Sequence, residues 1–463
     1  MLKTFKIGGI HHPPLKLSAG SSIRELPVPA EVKVPVGQHI GAPAVPVVKV
    51  GDAVKVGQLI AEAGGFVSAN IHSPVSGKVK KIEDFVDANG YRKPCITITV
   101  EGDEWDESID RTTAIRREIT LEPAEIINRV KQMGIVGMGG ATFPAHVKLS
   151  VPPGKKCEAL IINGVECEPY LTSDHRLMLE HGDEILIGVK ILMKALGVSK
   201  AYIGIENNKK DAIENLTRLA SGFEGITVQP LKMRYPQGGE KQLIDACIGR
   251  QVPSGKLPID VGAVVQNVGT VFAIYEAVQK NKPLIERIVC VTGKPLREPS
   301  NLLVRIGTPV KNLIEAAGGM PDDCGKVIGG GPMMGRPYSN LDVPVVKGTS
   351  GVTLMNKADS KRPEPSACIR CAKCVSVCPM GLEPFLMSKL AMLGRYDDLC
   401  DANVMDCIEC GCCSFTCPSN RPLLDFVRLG KGKVGAQLRA EAAAKKAAAE
   451  AAKKAADEKP EAK

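Results

Sequence analysis

The sequence predicts a multidomain chain of β and α/β modules that ends in a short, mainly helical, cysteine-rich segment. Three observations lead there. Residues 29–100 are written in short Val/Ile runs cut by glycines, the pattern of half-buried strands joined by tight turns. Residues 122–282 alternate helical periodicity with apolar runs such as Leu160-Ile161-Ile162, as in a sheet covered by helices. Near the C-terminus, eight of the sixteen cysteines fall into two matching runs.

A chain of 463 residues accommodates about three or four domains. No apolar run approaches the roughly 20 residues needed to span a bilayer, so a soluble or peripheral protein is expected. The net charge is +9, and residues 431–463, with nine basic and five acidic side chains, supply +4 of it. The remaining excess is diffuse, and no nucleic-acid partner is expected.

In chain order, residues 1–28 read as an N-terminal leader. His11-His12 could bind a metal, but Pro13-Pro14 behind them favour a plain extended stretch. Residues 29–115 form the all-β module. Residues 122–282 form the α/β module, with strands expected at 158–164 and 201–206 and a helix at 184–195. Residues 287–350 are β-rich again, with a helix at 309–317, and suit a small α+β domain. Gly329-Gly330-Gly331-Pro332 lacks the lysine and Ser/Thr of a phosphate loop and reads as a turn. Residues 364–430 hold the cysteine runs, with a helix between them at 382–395. Residues 435–463 are almost all Ala, Lys and Glu, offer no apolar stripe, and are expected to be solvated or disordered.

The cysteine runs carry the sharpest chemistry. Cys368, Cys371, Cys374 and Cys378 precede Pro379; Cys407, Cys410, Cys413 and Cys417 precede Pro418. Each reads C-x2-C-x2-C-x3-C-P. In the bacterial ferredoxin pattern the first three thiolates hold one [4Fe–4S] cluster and the fourth reaches the other. This pairs Cys368, Cys371 and Cys374 with Cys417, and Cys407, Cys410 and Cys413 with Cys378. Zinc prefers two separated C-x2-C pairs per ion and suits the spacing poorly. Disulfides are disfavoured because no signal peptide opens the chain. Cys412 breaks the spacing and reads as a non-ligand. The other seven cysteines read as buried structural thiols.

Two further motifs lie in the α/β module. Gly137-Met138-Gly139-Gly140-Ala141-Thr142-Phe143-Pro144, followed by Lys148, lets backbone approach a flat ring or a phosphate. Alone, such a loop is more often a plain turn. Asn163-Gly164-Val165-Glu166-Cys167-Glu168-Pro169 places two carboxylates at the end of a buried strand, where α/β folds bind ligands. A solvated acidic turn is the bland alternative.

Together these motifs resemble the flavin- and NADH-binding subunit of respiratory complex I and its relatives. There the loop reads G-R-G-G-A-G-F-P, with Met138 here at the arginine, and the strand-end motif reads N-A-D-E-S-E-P-G. Tyr235-Pro236-Gln237-Gly238-Gly239-Glu240 resembles that family's Y-I-C-G-E-E, and Val265-Gln266-Asn267-Val268-Gly269-Thr270 its V-N-N-V-E-T. The resemblance implies FMN against Gly137, Gly139, Gly140 and the loop from Asn267 to Thr270. It implies NADH beside Phe143, with Glu166 and Glu168 near its ribose and amide. Lys148, Asn163, Tyr235, Gly238 and Glu240 complete the implied cofactor-binding set, and no side chain is assigned a catalytic role.

The β module holds Val48-Lys49-Val50-Gly51-Asp52-Ala53-Val54 and Ser73-Pro74-Val75-Ser76-Gly77, and resembles the barrel sandwich of biotinyl and lipoyl carriers. The carriers' hairpin-tip lysine is missing from Gly64-Gly65-Phe66-Val67-Ser68-Ala69-Asn70, which points to a docking or structural module. The whole order is similar to the C subunit of the Rnf electron transport complex: barrel-sandwich hybrid, complex-I-like flavin α/β domain, small β-grasp domain, two-cluster ferredoxin-like segment, Ala/Lys tail. This implies a peripheral subunit on the cytoplasmic face of the bacterial cell membrane. It implies two [4Fe–4S] clusters, FMN and NAD(H), and as partners the other subunits of the complex, a ferredoxin-like iron–sulfur subunit among them. A cobalamin reductase shares the modules but carries its sandwich late in the chain. A non-catalytic electron-relay scaffold is the alternative of a different class.

Overall fold

The computed structural model describes residues 2–88 and 90–457, without the side chains of residues 451–457. Two compact units emerge. One takes residues up to 361 except 7–10; the other takes residues 7–10 and the chain from 362 on.

In the first unit the N-terminal module is a sandwich of a four-stranded and a three-stranded sheet. Strands Glu31–Pro35, Arg92–Val100 and Gly77–Val86 alternate their side chains so that Val32, Val34, Val79, Ile96 and Ile98 meet Ile60 and Ile71 in one core. The lysine-free hairpin tip is tied down. Ser68 Oγ bonds the Ala42 carbonyl, and His146 Nε2 lies 3.2 Å from the Phe66 carbonyl. Lys347, fully buried, donates to the carbonyls of Asn70 and Gly134 at 2.6 and 2.7 Å, lashing sandwich to α/β module.

The α/β module is built on a four-stranded parallel sheet in the order Ile226–Leu231, Ala201–Glu206, Ala159–Asn163, Ala263–Asn267. Leu160 and Ile162 face one core and Ile161 the other. Both faces are covered, which is why the strand is apolar at every position. Helices Gly182–Leu196 and Val268–Gln279 contribute Leu186, Val189, Val271 and Ile274 to the larger core. The chain adds strands outward in one direction and then returns beside Ala159–Asn163. The carboxyl ends of Ala159–Asn163 and Ala263–Asn267, where Asn163 and Asn267 are in register, therefore mark a topological switch point.

The next sheet has six strands, and two of them correct the boundaries read from sequence. Strand Gly351–Asn356 sits centrally, pairing with Glu286–Thr292 and Cys324–Gly329, so the expected end at 350 falls just before a core strand. Strand Ile23–Glu25, from the stretch read as a leader, pairs in parallel with Ser300–Arg305 as the sheet's edge. Backbone hydrogen bonds are satisfied by this distant partner, which sequence periodicity does not reveal.

In the second unit, helices Pro384–Met392 and Leu423–Asp457 share a small core of Met387, Leu390, Leu399, Val427 and Val434. Segment 7–10 belongs to this unit: Gly9 N–H donates to the Val377 carbonyl, and a Cβ on Gly8 would lie 2.4 Å from the Cys378 carbonyl carbon. The tail expected to be solvated or disordered is helical to Asp457, with residues 436–450 all exposed; residues 458–463 lie outside the described residues. Ala, Lys and Glu favour helix, and the packed first turns supply the nucleus. Among the described residues no helix is long and apolar enough to cross a membrane.

Candidate functional site

The glycine loop is a closed crown. Gly137 N–H donates to the Phe143 carbonyl, and Val136 bridges Pro144. Met138 is buried, its N–H donating to Thr270 Oγ1 at 2.9 Å. Gly139, Gly140 and Ala141 are exposed. A Cβ on Gly139 would lie 2.8–2.9 Å from three side-chain atoms of Asn267, whereas one on Gly140 meets nothing within 4 Å. The loop thus rests on Asn267 and opens outward at Gly140, a bare backbone surface suited to a flat ring or a phosphate. Lys148, on the short helix Ala145–Leu149, donates to Glu240 Oε1 at 2.7 Å and to the Val265 carbonyl.

Asn267 accepts the Gly269 N–H at 2.8 Å and donates to Asp174 Oδ2 at 2.7 Å. Asn163 donates to the Gly238 carbonyl at 2.8 Å and accepts the Val165 N–H. All four motifs therefore meet at the switch point. Tyr235 is buried with its ring edge toward His12, 5.4 Å between centroids.

The two glutamates are committed to backbone. Glu166 accepts the N–H groups of Asp174 and His175, closing the first turn of helix Ser173–Glu180. Glu168 accepts the N–H groups of Met333 and Met334 at 3.1 and 2.7 Å. The Gly329–Pro332 turn is thus more than a turn: it leads into an amide pair that holds a carboxylate, and a Cβ on Gly331 would lie 2.3 Å from Glu168 Oε2. Two lysines take the turn's carbonyls. Lys16 donates to those of Glu166, Glu168 and Leu171 at 2.6–2.9 Å, and buried Lys209 to that of Val165 at 2.7 Å. Burial, then the Lys16 charge, pulls Lys209 down to about 8.

Beneath the loop, burial and then the Glu166 charge push Asp174 up to about 7. Burial pulls the Arg287 guanidinium down to about 10, and it contacts the Met138 sulfur and the Thr349 carbonyl. Position 138 carries no arginine, yet a guanidinium reaches the underside of the loop from the neighbouring sheet. Asp174 follows the acidic turn directly, whereas Lys16, Lys209 and Arg287 were missed by motif reading, because each arrives from an element remote in sequence.

One prediction arises here. Folded Asp174 keeps a proton that the unfolded chain loses between about pH 4 and 7, so this group makes stability fall as pH rises through that window. Asp174→Asn is expected to flatten this slope in thermal melts recorded from pH 4 to 8; parallel curves for the two proteins would rule out the assignment.

In the second unit the two cysteine runs adopt the same backbone. Arg370 and Ala372 have φ of 55° and 57°, and their counterparts Glu409 and Gly411 have 58° and 79°. These left-handed residues bend each loop around a centre before the short helices Lys373–Ser376 and Cys412–Phe415. The thiols interleave. Cys374 lies within electrostatic range of Cys417, Cys378 of Cys410, Cys407 of Cys410 and Cys378, and Cys413 of all three of its neighbours Cys410, Cys407 and Cys378. Cys368 and Cys371 are exposed. The inner thiols line a small pocket together with Met387, Leu424 and Val427. Burial pushes Cys407 up to about 11 and Cys413 up to about 12. Among the described residues no group of three or more His, Cys, Asp or Glu side chains is placed to hold a metal ion; the polar side chains that share the pocket are thiols. That donor set fits a polynuclear cluster with thiolate ligands.

Three family models match: the RnfC barrel sandwich hybrid domain over residues 3–103, the Nuo51 FMN-binding domain over 130–276 and the SLBB domain over 288–337. The chain is 46% identical to the C subunit of the proton-translocating ferredoxin:NAD(+) oxidoreductase complex of Clostridium ljungdahlii, over 96% of each chain. It is 45% identical to the Na(+)-translocating counterpart of Acetobacterium woodii, over 94% of this chain and 98% of that one. It is 43% identical to the C subunit of the ion-translocating oxidoreductase complex of Rhodobacter capsulatus, over 94% and 84%. An NAD+-reducing [NiFe]-hydrogenase structure aligns at TM-score 0.48 and 18% identity over 66% of this chain and 61% of that chain, too weakly to carry an argument. With such identity over almost its whole length, the chain belongs to the RnfC family, the C subunits of the Rnf-type ion-translocating oxidoreductase complexes.

Proposed function

We propose that the chain is the peripheral NADH-, FMN- and iron–sulfur-carrying subunit of an ion-translocating oxidoreductase that moves electrons between NAD(H) and ferredoxin, at the cytoplasmic face of the membrane. The observation that carries this reading is the presence, in one polypeptide, of a glycine loop seated on Asn267 at a switch point and of two interleaved thiol sets. Bound FMN would accept hydride from NADH and release its electrons one at a time, and two [4Fe–4S] clusters would relay them.

The residues of the chain divide the work. The backbone of Gly137, Gly139 and Gly140 would hold the flavin, with Asn267 and Thr270 keeping the loop in place and Phe143 flanking the dinucleotide. Lys148 supplies a cation that Glu240 orients. Glu166 and Glu168 keep the acidic turn rigid through their bonds to backbone, so any role toward the ribose or amide runs through the shape of that turn. Cys368, Cys371, Cys374 and Cys417 would hold the outer cluster, and Cys378, Cys407, Cys410 and Cys413 the inner one. The other subunits of the complex, a ferredoxin-like iron–sulfur subunit among them, are the proposed partners.

Anaerobic purification followed by iron, sulfide and flavin assays and an NADH titration tests this. About eight irons with matching sulfide are expected, together with one FMN that bleaches on adding NADH. Clusters without flavin or NADH response would favour a relay scaffold; zinc without sulfide would remove the electron-transfer reading altogether.

A further inference from the structure

We propose that Lys16 is a positioning residue for the dinucleotide: its ammonium group holds the acidic turn, residues 163–171, in the shape that receives NAD(H). The proposal rests on the reading that this turn, at the carboxyl end of strand Ala159–Asn163, borders the dinucleotide site.

The turn needs outside support. Glu166 and Tyr170 both lie in the left-handed region, with φ of 44° and 72°, a conformation that residues with a Cβ adopt rarely. The carbonyls of Glu166, Glu168 and Leu171 converge on one point, where their negative ends repel. Lys16 Nζ occupies that point, at 2.8, 2.9 and 2.6 Å, and commits all three of its donors to the turn. Lys209 holds the near end at the Val165 carbonyl; the far end, at Glu168 and Leu171, is held by Lys16.

The stretch read from sequence as a plain extended leader is therefore a strap. The Pro14 carbonyl accepts the Tyr170 N–H at 3.0 Å, the His12 ring meets that of Tyr235, and Ser18 Oγ lies 2.6 Å from Thr172 Oγ1. Pro13 and Pro14 stiffen the approach, because their φ is fixed. Leu15, left-handed at φ 47°, turns the chain immediately before Lys16. Both carboxylates of the turn are bonded to backbone amides, so the surface it offers a ligand is set by its backbone path. Lys16 fixes that path from a segment remote in sequence.

The test is an equilibrium titration of the full-length, anaerobically purified holoprotein with NAD+, which binds without turnover, for wild type, Lys16→Met and Lys16→Arg. FMN per chain, iron per chain and melting temperature are measured beside it. Methionine keeps an unbranched stem and loses the charge. Arginine keeps the charge, but its planar fork spreads the donors and does not bring three of them to one point. The Kd for NAD+ is expected to rise at least about tenfold in Lys16→Met, the worth of one charge-assisted hydrogen bond, and by less in Lys16→Arg. FMN and iron should be unchanged in both. Wild-type affinity for NAD+ in Lys16→Met would overturn the proposal. So would a loss of FMN in step with the loss of NAD+, because Lys16 would then support the module as a whole. If methionine prevents folding, the arginine variant decides on the same two grounds. A wild-type holoprotein that holds FMN yet binds no NAD+ would instead overturn the reading on which the proposal rests.

Discussion

Cys410→Ser is expected to strip the inner cluster, taking iron from about eight to about four per chain, and to stop electrons from NADH reaching one-electron acceptors. Cys410 is buried, and Cys378, Cys407 and Cys413 all lie within its electrostatic range. A serine oxygen there offers a harder ligand on a shorter bond, with no chain slack to compensate, because Gly411 beside it is already in a left-handed turn. Flavin bleaching by NADH should persist, because its residues lie in the other unit. The helical core of Met387, Leu390, Leu399, Val427 and Val434 takes in Cys378 but not Cys410, so the loss should be local rather than a collapse of the unit. Cys371→Ser is the comparison. Cys371 is exposed and belongs to the outer set, and its replacement should remove or convert the outer cluster only. Iron analysis and EPR of the reduced variants decide; full iron content in Cys410→Ser would mean that the ligand sets are wrong.

Gly139→Ala is expected to release FMN. The new Cβ would meet three atoms of Asn267 at 2.8–2.9 Å. That side chain cannot swing aside cheaply: it holds the Gly269 N–H on one edge and Asp174 on the other. Overpacking of this kind costs about 1–3 kcal/mol; since every 1.4 kcal/mol is tenfold, flavin affinity should fall roughly ten- to a hundredfold. Gly140→Ala makes the informative contrast. Its Cβ meets nothing within 4 Å, so the bare protein should keep its melting temperature and any loss of flavin must come from the ligand itself. Flavin per chain and fluorescence titration with FMN provide the readout. Wild-type flavin retention in Gly139→Ala would remove the loop from the site.

Much of this was legible beforehand because the signals are local. The alternation of residues 29–100 and the continuous apolar run ending at Asn163 report burial on one face or on both. The cysteine spacing reports the two matching loops with left-handed turns at Arg370, Ala372, Glu409 and Gly411. What escaped were partnerships across long stretches of chain. Lys16 lies more than a hundred residues from the carbonyls it takes, Ile23–Glu25 pairs with Ser300–Arg305, and the amides of Met333 and Met334 were spoken for by Glu168. A glutamate at a strand end reads as a ligand group when its neighbours in space are unknown; here both carboxylates are turned inward to hold backbone.

From the sequence alone, then, came the modules, their order and the residue types that chemistry requires, because spacing along a chain directly encodes short loops and half-buried faces. Only the tertiary structure decided which of those groups meet. It set Asn267 beneath Gly139, brought Arg287 under the loop and drew Lys16 onto the acidic turn, since side chains far apart in sequence are brought together by the packing of sheets and helices, which no local pattern records.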